Sequence, residues 1–395
     1  MLLSACARLT VPLPTPTLPP TSTPLPTATP APLVTPEPAP ILTGLEMFPE
    51  GGWAWNYNTG SLYRSTDAGA SWKRVSLPSG EIFNFSASAF LDLNTVWLAG
   101  TDQLSGGQKL FRTTDGGSVW ALTLPEGLDS LAGNFTYHFT SPRVGWAEAA
   151  EGGAGNLYVQ VFKTLTGGAT YQVVPIQQAA AVEALPEGTL HLCNICADSF
   201  YYDPARVMIL TGDMGSMQPR GSVEGMSSFD GGRTWEEIRL PLPPSYKDAL
   251  VTPLSPAFVD DTHGFLPVAL TRLEPEGSTP RSALALYTSA DGGRNWTPAA
   301  ATLEDMPNYP ALQFINATDA VAQGAEALHM TRDAGNTWET RPLPPEMVPN
   351  DSRSLFDLDF TDAQTGWLIL SEYSAGVTSY KTWKTEDGAK TWTLQ

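Results

Sequence analysis

Apolar residues in this chain come in short runs that are broken every few positions by a polar or glycine-containing turn, and the runs recur in pairs. Phe360-Thr361-Asp362-Ala363-Gln364-Thr365-Gly366-Trp367-Leu368-Ile369-Leu370 is the clearest pair: an apolar strand end, a polar turn, then a second strand opening on an aromatic. The pattern returns at Phe258 to Phe265, Phe139 to Trp146, Phe90 to Trp97 and, more loosely, Met47 to Trp53. At Tyr202 to Met208 and Phe314 to Ala320 the aromatic is replaced, but strand, polar turn and strand remain. Short apolar runs bounded by turn residues predict β-strands. No run approaches the roughly 18 uninterrupted apolar residues of a transmembrane helix.

Downstream of each pair lies a second recurring segment. Ser65-Thr66-Asp67-Ala68-Gly69-Ala70-Ser71-Trp72 returns as Thr113-Thr114-Asp115-Gly116-Gly117-Ser118-Val119-Trp120 and as Ser228-Phe229-Asp230-Gly231-Gly232-Arg233-Thr234-Trp235. Further copies run from Ser289 to Trp296 around Asp291, from Thr331 to Trp338 around Asp333, and from Thr385 to Trp392 around Asp387. A degenerate copy, Thr164 to Tyr171, fills the one large gap. The order within a unit is therefore strand, short turn, strand, variable loop, strand, Asp-motif turn, strand. Seven such units of about 50 residues predict an all-β fold over residues 41–395: a single seven-bladed β-propeller of four-stranded antiparallel blades.

The Asp motif has a mechanical reading. Asp and Ser/Thr oxygens accept backbone N–H groups within a turn, glycine supplies positive φ, and Trp packs its ring at the hairpin base. In this it resembles the Asp-box, or BNR, repeats, in which the box lies on the outer hairpin of each blade, away from any catalytic centre. That resemblance implies structural roles for Asp67, Asp115, Asp230, Asp291, Asp333 and Asp387, and for Trp72, Trp120, Trp235, Trp296, Trp338 and Trp392. Five further tryptophans, Trp53, Trp55, Trp97, Trp146 and Trp367, open second strands, which leaves Trp383 outside the scheme.

Composition changes the picture at the N-terminus. Residues 11 to 40 hold 12 of the 35 prolines, interleaved with threonine, and such a segment favours extended polyproline II over a packed core. It reads as a linker over residues 7–40, with a reach on the order of 100 Å. Just before it, Leu3-Ser4-Ala5-Cys6 resembles the bacterial lipobox, which implies diacylation of Cys6 and an extracytoplasmic, lipid-anchored protein whose only membrane contact is the anchor. Only five residues precede Cys6, so the reading of residues 1–6 as a signal remnant carries the expectation that translation starts further upstream.

Charge then narrows the partners. The net charge is −19, with 22 basic and 41 acidic residues, and the tail carries only Arg8 and Glu37 before residue 41, so the excess belongs to the repeats. That balance excludes nucleic acid as a partner, because binding through phosphates needs clustered Lys and Arg. His191-Leu192-Cys193-Asn194-Ile195-Cys196, in the fourth unit, leaves two options open: a local Cys193–Cys196 disulfide, or a soft metal that needs a fourth ligand the sequence does not supply. No cofactor and no metal site is expected. His138, His191, His263 and His329 are scattered over different units and form no readable catalytic set.

Three families share this scaffold. Sialidases are recognised by three arginines, a Tyr/Glu pair and an Arg-Ile-Pro near the first blade; here the first blade offers Tyr63-Arg64-Ser65, and Arg239-Leu240-Pro241 lies in the fourth. Oligoxyloglucan-active glycosidases work in a cleft between two propellers, and this chain has one. The Gly-Trp second strand coupled to a Thr-x-Asp-Gly-Gly-x-Thr-Trp hairpin is most similar to the photosystem II stability/assembly factor family, single propellers that bind nascent membrane-protein subunits. Those factors carry an arginine-rich face, so the resemblance implies the scaffold, while the acidic balance predicts another ligand. The expectation is a monomeric binding or assembly module for a protein or carbohydrate ligand, held on the face opposite the Asp motifs where the variable loops emerge. The rival is a secreted glycoside hydrolase.

Overall fold

The computed structural model describes residues 40–395 apart from 124, 129–134, 154–155, 175–188, 194–196, 203–205, 214–218, 220, 232, 273–280 and 308–309, with backbone alone at 150–153, 156–159, 189–193, 197–202 and 281. Residues 39–395 form one unit of seven antiparallel sheets, the seven-bladed propeller that the repeats predict. The first blade is typical: Gly44–Phe48, Gly51–Asn56, Ser61–Ser65 and Lys73–Val75 pair in sequence order. Each blade's first strand borders the central channel, and its fourth is outermost. Because consecutive strands alternate in direction, second-to-third-strand loops and inter-blade connections share one face, here the loop face. The first-to-second turns and the Asp-motif hairpins share the other, the hairpin face.

Local chemistry explains the repeating Gly-aromatic doublet. Gly145, Gly264 and Gly366 pair with Phe139, Phe258 and Phe360, the aromatics that end the first strands. A Cβ on Gly366 would lie 2.5 Å from the Phe360 ring, so glycine is what lets that ring lie flat across the strand. The tryptophans do more than brace hairpins. Trp53, Trp97 and Trp367 are buried in clusters shared with the following blade, whereas Trp72, Trp120, Trp338 and Trp392 join clusters shared with the preceding one. Trp383 packs in the cluster between the sixth and seventh blades. The hydrophobic core is thus a ring of inter-blade interfaces, and those between blades 7 and 1 and between blades 1 and 2 are clamped from both sides by tryptophan.

The ring closes by side chains. All four strands of blade 7, from Arg353–Phe360 to Thr393–Leu394, are consecutive in the chain, and among the described residues no strand is exchanged with blade 1. Instead, Asp357 accepts the Leu45 N–H at 2.9 Å and Asp359 accepts that of Met47 at 2.5 Å.

Three expectations need correction. Thr189–Cys193, read as part of the fourth unit, pairs instead with Asn156–Gln160 of blade 3. The third strand there runs nine residues but its fourth, Gln172–Val173, covers only two of them, so the exposed edge is capped by the next available strand. The connection at Pro241 to Pro253 is largely ordered: Pro244–Tyr246 is a 3-10 turn and Leu250–Pro253 begins blade 5, whose first strand resumes at Ala257–Phe258 after Pro256 interrupts its ladder. The fifth-blade loop placed at Ala269 to Arg281 is shorter, since strands occupy Gly264–Arg272 and Arg281–Ser289. The loop from Pro175 to Gly188, Cys196, and the segment bearing Cys6 lie outside the described residues.

Candidate functional site

The six Asp-motif carboxylates share one geometry. The Ser or Thr two residues earlier donates its hydroxyl to the carboxylate, as Ser65 does to Asp67 at 2.7 Å, and accepts a backbone N–H from the turn, as from Gly69 at 2.9 Å. The backbone N–H four residues on completes the carboxylate's shell, 2.9 Å from Asp67 and 2.8 Å from Asp333. Two consecutive left-handed residues follow the Asp, such as Gly116 and Gly117 at φ 73° and 85°, and this is why the motif needs small residues. In the degenerate copy the Thr166 hydroxyl takes the carboxylate's place, accepting the Thr170 N–H at 2.9 Å. These bonds hold all six carboxyls below the ordinary range: Asp67 falls to about 2, chiefly through the Ser71 hydroxyl, and Asp387 to about 2 through that of Thr391. Asp115, Asp230, Asp291 and Asp333 shift the same way.

Each carboxylate belongs to its own blade's hairpin, and the fold brings no two together. Position seven of the motif supplies a second hydroxyl in four copies, Ser71, Thr234, Thr337 and Thr391, but is Val119 in blade 2. Val119→Thr should therefore raise the thermal midpoint slightly, by about 1 °C, as read by circular dichroism; no rise would mean that the hydroxyl contributes nothing in this hairpin.

A different set of residues converges at the loop-face mouth of the central channel. There the first strands of blades 7, 1, 2 and 3 enclose a cavity of about 440 Å³ lined by Trp55, Tyr57, Phe85, Phe356, Glu46 and Asp357, among others. Two irregular strands build it. In blade 7 the register slips between Leu355 and Asp357, so Phe356 is the extra residue of a β-bulge and turns outward, 44% exposed. In blade 2 the ladder breaks between Asn84 and Ala89, which leaves Ser86 exposed at the mouth and turns Phe85 inward, buried against Trp55 in the cluster shared with blade 1. That second break is braced: Ser88 donates its hydroxyl to the Asn84 carbonyl at 2.7 Å and accepts the Ala99 N–H at 3.0 Å. Bulges re-aim side chains and recur beside functional sites. Here both aim aromatic rings at blade 1, between them.

The rings touch edge and face. Tyr57 lies 6.1 Å from Phe85 and 6.4 Å from Phe356, Trp55 stacks on Phe85 at 6.0 Å, and Phe356 meets Tyr380 edge-on at 5.3 Å. Gly44 has no room for a side chain, since a Cβ would fall 2.4 Å from the Trp55 ring, and this holds that ring in the wall. On the same face, at the loop-face ends of blades 2 and 7, Ile82, Leu104, Tyr373 and Val377 are exposed.

Below the rings stand three carboxyls. Asp357 also accepts the Leu358 N–H, and Asp359 accepts the Gln313 side-chain amide at 2.6 Å. Glu46 has no hydrogen-bond partner among the described residues and lines the cavity. Channel water reaches its side chain, but protein walls surround it. Poor solvation, followed by the nearby Asp359 and Asp357, pushes its carboxyl up to about 8. Burial likewise raises Asp357, and raises Asp359 to about 7. The charges of the rim are already matched: Lys109 bridges Glu81 and Asp102 at 2.7 and 2.8 Å, and Glu372 takes Arg353 and Lys381 at 3.0 and 3.1 Å.

No protein-family model matches the sequence, and no curated protein does. Among solved structures, YCF48 from Cyanidioschyzon merolae superposes with a TM-score of 0.51 at 14% identity, over 89% of this chain and 97% of that one. YCF48 bound to D1 peptide gives 0.49 at 16%, over 87% and 93%. An alpha-L-arabinofuranosidase from Fusarium graminearum in complex with an iminosugar inhibitor gives 0.43 at 13%, over 78% and 96%. The likeness shows the fold.

Sequence reasoning did not find the channel mouth. Of the four histidines, only His138 lines it; His263 is bonded to Asp260 at 2.8 Å on the hairpin face, His329 lies on the third strand of blade 6, and His191 falls where the backbone alone is described. Cys193 ends the added strand of blade 3. No group of three metal-ligating side chains occurs among the described residues. The available signals were two faults in strand alternation, Leu355-Phe356 and the dense Ile82-Phe83-Asn84-Phe85 run.

Proposed function

We propose that this chain is a non-catalytic binding propeller, acting outside the cytoplasm in the assembly or capture of other proteins, and that its loop face over blades 7, 1 and 2 receives a polypeptide segment. The observation that carries this reading is the β-bulge that turns Phe356 out of its ladder toward Tyr57 and leaves both rings exposed. Inner-strand aromatics belong in the core, and placing Phe356 at a solvent-filled mouth beside the exposed Tyr57 removes packing that a ligand restores. The lipobox-like Leu3-Ser4-Ala5-Cys6 and the Pro/Thr segment after it support anchoring of the ring at a membrane surface through lipid on Cys6. The Asp motifs serve the hairpins, since each carboxylate is taken up by its own turn.

One observation favours a second reading. A carboxyl held at about 8, Glu46, beside the raised Asp357 is the kind of proton donor a glycoside hydrolase uses. A fluorogenic glycoside panel run beside a peptide array on the full chain separates the two. Peptide capture without turnover is expected, and turnover abolished by Glu46→Gln would replace the binding reading with the enzymatic one.

A further inference from the structure

We infer that the channel-mouth cavity is a receptor for a cationic side chain, Arg or Lys, carried by an extended peptide and seated against the exposed rings of Tyr57 and Phe356 with its charged end toward Glu46. This rests on the peptide-binding reading above and names the residue type that the peptide must present.

The cavity's size and lining agree on this occupant. About 440 Å³ admits a long side chain with part of its backbone, and lies in the usual range for specific pockets. Aromatic walls accept the alkyl stem of Arg or Lys and attract the cation at the ring faces. Neutral apolar side chains would fill the same space but leave Glu46 without a counter-charge, and an acidic side chain would meet three carboxyls. Charge balance on the rim sharpens the choice. Glu81, Asp102 and Glu372 already hold cations of this chain, whereas Glu46 holds none among the described residues. The −19 of the whole protein then draws a basic segment in from a distance. Ile82, Leu104, Tyr373 and Val377, exposed at the loop-face ends of blades 2 and 7, suit apolar residues flanking the cation, and this favours a peptide over a free amine.

Protonation gives the site a signature. The titratable groups facing Glu46 are Asp357 and Asp359 from blade 7, with Tyr57 from blade 1 and His138 and Tyr137 from blade 3 lining the same cavity. A bound cation stabilises the ionised Glu46, so binding expels its proton and strengthens as the pH rises.

The test uses fluorescence anisotropy with the full chain and three labelled octapeptides, Ala-Leu-X-Phe-Leu-X-Leu-Ala, in which X is Arg, Gln or Glu. The Arg peptide should bind about tenfold more tightly than the Gln peptide, with an advantage that grows from about pH 6 to about pH 9. Glu46→Gln should erase that advantage, and Phe356→Ala should weaken binding of both peptides. Equal binding of the Arg and Gln peptides, with Phe356→Ala weakening both, overturns the cation site and leaves the peptide-binding reading standing. Arg-selective binding that neither variant alters places the cation elsewhere and likewise overturns the inference. Failure of all three peptides to bind a chain of unchanged circular dichroism overturns both.

Discussion

Raising the pH from about 5 to about 9 is expected to lower the thermal midpoint of this protein, and Asp359→Asn is expected to remove most of that fall. Asp359 is 7% exposed on the innermost strand of blade 7, at the seam with blade 1. Burial holds its carboxyl at about 7, against about 4 in an unfolded chain, and Glu46 beside it stands at about 8. Over the interval between those values the folded state binds more protons than the unfolded one, so stability falls as the pH rises. The contribution is complete below about 4 and is lost as the pH passes through 7 to 8. For Asp359 it is on the order of a few kcal/mol; for Glu46 it is less, because channel water screens it.

The hairpin carboxylates work in the opposite direction. Their folded values lie below the unfolded ones, so the stability they give is present above about 4 and fades as the pH falls toward about 2. Maximal stability is expected at mildly acidic pH. At pH 9 the Asn variant should match or exceed the native protein; at pH 5 it should be weaker, because its amide cannot accept from both Met47 and Gln313. Thermal melts across a pH series decide it, and a native protein whose midpoint is flat from pH 5 to 9 would refute the role given to the seam.

The distance over which each feature is assembled explains what the sequence revealed. An Asp-motif hairpin is complete within eight residues, because the hydroxyl, carboxylate, glycines and tryptophan that make it are chain neighbours, so the repeats and the blade count stand out in one dimension. The seam is made of residues 312 apart, such as Leu45 and Asp357, and nothing near either announces the other. The mouth depends on register. Phe356 reads as an ordinary apolar residue of an inner strand until Leu355 and Asp357 are seen to pair with consecutive residues, Leu370 and Ile369. In sequence Thr189–Cys193 reads as part of the following blade for a similar reason: its partner edge is open only because Gln172–Val173 is too short to cover it. The tryptophans were legible as a set, but as hairpin braces and strand openers, since which blade a ring reaches is decided by the propeller and not by the motif.

That division predicts which residues the ring can least spare. Trp97→Ala should cost about 3–5 kcal/mol of stability, more than any single Asp-motif substitution, although Trp97 lies outside the motif. Its indole is fully buried between blades 2 and 3, stacked on Phe139 at 3.7 Å with the rings 2° from parallel, and Arg112 lies 5.0 Å from its other side. Its N–H donates to the Gly167 carbonyl at 3.0 Å, in the degenerate hairpin of blade 3. Truncation removes the stack, opens a cavity that neighbouring blades cannot collapse without breaking their own ladders, and leaves a buried carbonyl unpaired. Asp115→Ala instead loosens a hairpin that water already surrounds, where solvent replaces much of what is lost. Trp97→Phe should fall between them, keeping a ring against Phe139 but losing the bond to Gly167. Urea titrations of the three variants, followed by far-UV circular dichroism, order these effects. A Trp97→Ala protein no less stable than Asp115→Ala would mean that the hairpins, and not the inter-blade interfaces, hold the propeller together.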